Sequence, residues 1–133
     1  MMEAKELRVG NLLQSGNRIV VVENIMPYGI NYMAQEEDVD YSFDILEPVS
    51  LTEEILLKCG FTKYEHDAGY DLEGDITDKC DEYGLSKLSI MDWGDGFVLS
   101  NSFSFNLRVE LKSLHQLQNL YFPLTGEELE VNL

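Results

Sequence analysis

Basic residues are scarce: nine Lys and Arg stand against 25 Asp and Glu in 133 residues, a formal charge of −16. Such a surface repels phosphate backbones and anionic lipid, so direct nucleic-acid binding and membrane association are not expected. The partner it would attract is a basic protein. Cysteine is nearly absent as well. Cys59 and Cys80 make no disulfide framework and stand in no redox motif. Cys59 falls at an apolar helix end, and Cys80 lies in an acidic segment, which tends to raise a thiol pKa and quiet it. Histidine is limited to His66 and His115, and neither lies in an H-x-H or H-E-x-x-H arrangement, so no metal site is expected. No apolar run is long enough to span a bilayer, and MMEAKELRVG has no apolar signal region, which makes a cytoplasmic location the expectation. With no G-x-S-x-G elbow, phosphate loop or dinucleotide fingerprint, no catalytic residue and no cofactor is assigned.

What the chain does have is a charge-free stretch. Ser113 to Gly126 (SLHQLQNLYFPLTG) contains no Asp, Glu, Lys or Arg in a protein that is 26% charged. Leu114, Leu117, Leu120, Tyr121 and Leu124 recur at helical spacing and predict one apolar sector against a core. His115, Gln118, Asn119 and Phe122 fall on the opposite side. That second face is polar but uncharged, which suits packing against strands or a partner better than facing water. Pro123 disfavours helical geometry at Phe122, so the helix is expected to end near Tyr121. Leu129, Val131 and Leu133 then alternate with Glu130 and Asn132 as a terminal strand would.

Earlier in the chain, short strands are expected over Leu7–Leu13, Arg18–Met26, Ile30–Ala34 and Tyr41–Ile45, with turns at Ser15-Gly16-Asn17 and Pro27-Tyr28-Gly29. Together they suggest a small curled sheet or SH3-like barrel over residues 1–49. Residues 50–133 form the second, α+β part of an α+β chain. Ser50 and Glu53 have capping-box spacing ahead of Ile55-Leu56-Leu57, with Thr52 a rival cap, and Gly60-Phe61 has the signature of a Schellman ending. Strands follow at Phe61–Tyr64, around Leu85–Trp93 and Phe97–Leu99, turning at Gly94-Asp95-Gly96, and at Phe103–Leu111.

Two acidic segments stand out, an expected loop at 35–47 and a flexible insertion at 65–83. The residues proposed as an acidic interaction surface are Glu36, Glu37, Asp38, Asp40, Asp71, Glu73, Asp75, Asp78, Asp81 and Glu82. Asp71, Glu73, Asp75 and Glu82 match positions one, three, five and twelve of a calcium loop. Ile76, however, occupies the sixth position, where that loop needs glycine.

LRVGN near the start, LTEEILLKCGF at 51–61 and HQLQNLYFPLTGEELEV at 115–131 give a resemblance in segment order. The chain resembles a group of small uncharacterised proteins of phages and prophage-like elements of gut anaerobes. That resemblance implies a mobile-element context and carries over no catalytic residue. Members of the group differ most between these segments, where the acidic insertion lies.

Two functions follow as expectations. The first is a non-enzymatic protein-interaction module, in its sharper form a nucleic-acid mimic or inhibitor of a host system. The second is a small-molecule-binding module or small enzyme with a pocket near the C-terminal helix, using His115, Gln118, Asn119, Tyr28 and Tyr32. A subunit contact through the uncharged helix, giving a homo-oligomer, is the third possibility.

Overall fold

The computed structural model describes residues 2–34, 37–66, 80–86, 88–92, 96–100 and 109–133. Their strands are antiparallel and mixed with two α-helices, an α+β architecture. The chain divides into two compact units, residues 1–50 with 113–120, and residues 51–112 with 121–133.

In the first unit a 3-10 turn at Ala4–Glu6 precedes β1 (Leu12–Ser15) and β2 (Arg18–Val21). Gly16 turns this hairpin at φ +61°, a left-handed conformation that costs glycine nothing. β3 (Asn24–Met26), β4 (Gly29–Ala34) and β5 (Glu37–Ser42) form a second ladder, and β6 (Glu47–Pro48) joins the first, giving orders β2-β1-β6 and β3-β4-β5. Among the described residues the two ladders do not close into a barrel. Met2, Leu7, Leu13, Val20, Val22, Ile30, Tyr41, Phe43 and Leu46 form the core. Leu7–Gly10, expected to begin a strand, instead follows the 3-10 turn as a bend held by Asn11, whose Oδ1 accepts from Arg8 N at 2.8 Å. The acidic loop expected at 35–47 is a strand over 37–42, because Ile30↔Tyr41 and Tyr32↔Val39 pair their apolar side chains across the ladder. The strand stops at Ser42, so Phe43 and Ile45 lie in a turn, one buried and one exposed.

In the second unit α1 (Glu53–Lys58) is capped by Thr52, whose Oγ1 accepts from Ile55 N at 3.2 Å. Thr52 therefore takes the role for which Ser50 was the first candidate. Ser50 instead bridges Ser113. The helix closes as expected: Gly60 has φ +95°, Phe61 N donates to Leu56 O and Gly60 N to Leu57 O, both at 3.1 Å. β7 (Thr62–His66), β8 (Cys80–Leu85), β9 (Leu88–Asp92), β10 (Phe97–Ser100) and β11 (Val109–Leu111) make one sheet in the order β11-β10-β9-β8-β7. Tyr83, Leu88, Ile90 and Leu111 are buried on its packed face, with Phe97 edge-on to Tyr83 at 5.9 Å. The acidic insertion is therefore shorter than 65–83. Glu65↔Asp81 and His66↔Cys80 are already paired in the sheet, and 67–79 lie outside the described residues, as do the turn residues 93–95 and the segment 101–108.

α2 runs Leu114–Thr125 and passes Pro123 instead of stopping at Tyr121. Proline removes the N–H that would reach the carbonyl of Asn119, and Arg8 Nη1 approaches that oxygen at 3.5 Å in its place. Thr125 Oγ1 donates to Tyr121 O at 2.7 Å and Gly126 N to Phe122 O at 2.7 Å, which completes the last turn. No terminal strand forms. Leu129 is buried and Asn132 N donates to Lys58 O at 3.1 Å, so the segment is tied to the end of α1 and not to a sheet edge.

Candidate functional site

The uncharged face of α2 clamps the start of its own chain. Gln118 Oε1 accepts from Leu12 N at 2.9 Å, and its Nε2 donates to Gly10 O at 3.1 Å. Asn119 Nδ2 donates to Glu6 O at 2.9 Å, and its Oδ1 accepts from Asn11 Nδ2 at 2.7 Å. Both amides thus serve groups of Glu6, Gly10, Asn11 and Leu12, of which only Leu12 stands in a strand, and these would otherwise lose hydrogen-bond partners. A ligand would have to displace these bonds. His115 differs. It is 4% exposed, its Nε2 lies 3.6 Å from Glu6 Oε1, and its Nδ1 has no hydrogen-bond partner among the described residues. Burial lowers its pKa below the usual imidazole value, with Glu6 opposing in part, so the ring is neutral at pH 7.

The two tyrosines do not share a site. Tyr28 is 60% exposed at the turn between β3 and β4, whereas Tyr32 packs against the core. Of the proposed acidic surface, Glu36, Asp71, Glu73, Asp75 and Asp78 lie outside the described residues. Glu37 and Asp38 stand in β5, and Asp40 accepts from Asn31 Nδ2 at 3.0 Å. Asp81 and Glu82 project to opposite faces of β8. Asp81 is 3.9 Å from Lys63 Nζ, and Glu82 accepts from Ser89 Oγ at 2.7 Å. Lys63 also reaches Glu53 at 2.7 Å and Glu65 at 3.7 Å, and the Glu53 bond raises its pKa well above the usual lysine range.

An open groove of about 440 Å³ lies in the first unit, lined by Met2, Glu6, Phe43, Asp44, Leu46, Glu47 and Pro48. Met2, Phe43 and Leu46 are core residues whose surfaces reach it, and Asp44 and Glu47 are exposed on its rim. The three acids arrive from separate elements: the 3-10 turn, the turn after β5, and β6. Asp44 and Glu47 belong to the acidic segment read from sequence, where each follows an apolar residue or its neighbour in a tight turn. Glu6 carries no such signal, because only folding brings it there. A second concavity, about 450 Å³, lies at the β7, β8 and β9 strands and is lined by Tyr64, Glu82, Gly84, Leu85, Leu88 and Ser89 among others.

Comparison with protein-family models, curated proteins and solved structures finds no match. Among the described residues no three His, Cys, Asp or Glu are grouped to hold a metal ion, and no helix is long and apolar enough to cross a membrane. Both cysteines are free and buried. Burial raises the Cys59 thiol to about 11, and burial followed by the charges of Asp81 and Glu82 raises Cys80, so each is a poor nucleophile.

Proposed function

We propose that this protein is a non-enzymatic acidic interaction module that binds a basic protein partner, in the mobile-element context its segments resemble. The observation that carries this reading is how its few cations are placed. Lys5 pairs with Glu3, Lys58 with Glu54, and Lys63 with Glu53, Glu65 and Asp81, each within the chain. Around the groove, by contrast, Glu6, Asp44 and Glu47 have no Lys or Arg partner among the described residues. Carboxylates left uncompensated around one groove of a −16 chain create a field that steers and holds a cationic surface.

The sharper form, mimicry of a nucleic acid toward a host protein, adds that these carboxylates stand where phosphates would. The SH3-like reading of the first unit belongs to the same proposal, since its two three-stranded ladders supply the strands and closure between them is what it requires. The small-molecule reading keeps only His115, with its unpartnered Nδ1, because Gln118 and Asn119 are engaged in the clamp.

The test is a low-salt pull-down with the tagged full chain, followed by affinity measurement of the captured partner across ionic strength. The reading expects a basic partner whose affinity falls about tenfold or more between 50 and 300 mM salt. Affinity unchanged over that range removes the electrostatic reading, and a copurifying small molecule without protein favours the His115 alternative.

A further inference from the structure

We propose that the groove of the first unit anchors an arginine side chain from an extended basic segment of the partner, an inference that rests on the interaction-module reading. Carboxylates on a chain of this charge would not by themselves mark a site. Here three carboxylates share one groove with an apolar lining. Met2, Phe43, Leu46 and Pro48 border the same open space as Glu6, Asp44 and Glu47.

The two surfaces ask for one chemistry. An apolar wall gains by covering methylenes, and a carboxylate rim gains by meeting a cation, so the complementary group is a long aliphatic stem ending in positive charge. A metal ion would use the carboxylates and leave the apolar wall wet. A neutral apolar side chain would desolvate the acids without compensating them. At about 440 Å³ the groove has room for one such side chain together with neighbouring backbone. Between the two candidate cations, arginine fits better. Its guanidinium is planar, weakly hydrated and able to bond two carboxylate oxygens in parallel, whereas lysine's ammonium loses more hydration on entering a partly apolar recess. Among the described residues Lys5, Lys58 and Lys63 pair with acids other than those of the groove, and Glu6 lies 3.6 Å from the imidazole of the buried His115.

The experiment uses the full chain with a fluorescein-labelled peptide of alternating Arg and Gly, and its Lys counterpart, in anisotropy titrations at low salt. Asp44→Asn with Glu47→Gln removes two rim charges. Glu127→Gln with Glu130→Gln, exposed positions of the other unit, removes the same charge elsewhere and serves as the control. The proposal expects the Arg peptide to bind several-fold more tightly than the Lys peptide. It also expects the rim variant to lose about tenfold in affinity and the control variant less than about twofold. Amide shifts on titration should concentrate at residues 2–6 and 43–48. Equal weakening by both variants, with wild-type binding intact, overturns the groove while leaving the acidic module standing. Absence of binding by either peptide overturns both.

Discussion

His115 and Gly29 show how single positions report on the packing around them. Because burial lowers the His115 pKa, the unfolded chain binds a proton that the folded chain does not, over the range from about 6.5 down to the folded value. Stability therefore rises with pH there and is lost as pH falls below about 6.5. Replacing His115 by Leu removes this contribution, so the advantage of wild type over His115→Leu in urea unfolding should shrink between pH 7.5 and pH 5.5. A difference that stays constant across that range would show that the ring does not titrate on unfolding. Gly29 acts through space rather than charge: a Cβ there would overlap the carbonyl oxygen of Tyr41 and lie 2.9 Å from Ser42 Cα. Gly29→Ala should thus force β4 from β5 and cost about 2 kcal/mol, measured by chemical denaturation. The turn at Gly29 was readable from Pro27-Tyr28-Gly29, but the close approach was not, because it depends on the register Gly29↔Ser42. The amides were readable in the same partial way. Their lack of charge announced packing, while their partners, more than a hundred residues away at Glu6 to Leu12, could only be supplied by the fold.

At the level of elements, local chemistry bounded α1 closely, although the cap is the rival Thr52 and not the first candidate Ser50. Thr52, Gly60 and Phe61 define both ends of α1 within a few residues of sequence, and the structure realises the cap and the Schellman bonds. Thr52→Ala leaves Ile55 N without its acceptor and should lower the stability of the second unit by about 1 kcal/mol in thermal or urea unfolding, whereas Thr52→Ser should restore nearly all of it. A cost under about 0.3 kcal/mol would mean that solvent replaces the cap. Where sequence signals competed with tertiary contacts, the contacts prevailed. Pro123 is a helix breaker by rule, yet it stands one turn from the end of α2, where its only lost acceptor finds Arg8. The alternation from Leu129 to Leu133 is that of a strand, but the segment is bonded to Lys58 at the end of α1 and lies in no ladder. The acids from Glu37 to Asp40 read as a solvated loop because their charge hid Val39, which pairs with β4 alongside Tyr41, the start of the expected strand.

For the molecule as a whole, charge was the property most legible in the sequence, and it acts in two opposite directions. Twenty-five acids against nine bases repel one another in the folded state more than in the expanded one, so self-repulsion lowers stability at low ionic strength. Raising NaCl from 10 to 300 mM shortens the Debye length from roughly 30 Å to under 8 Å and should raise stability by about 1 kcal/mol, or roughly 4 °C in the melting temperature of a two-state unit of this size. Calorimetry or circular dichroism would measure this directly. The same salt must weaken recognition if the partner is held by the groove and its surrounding field, because screening acts alike on repulsion within the chain and attraction between chains. Fold stability and partner affinity should therefore move in opposite directions along a single salt series, and the rim variant Asp44→Asn/Glu47→Gln should flatten both slopes. If affinity instead rose with salt alongside the melting temperature, the contact would be driven by apolar burial. The charge would then act only to keep the protein soluble.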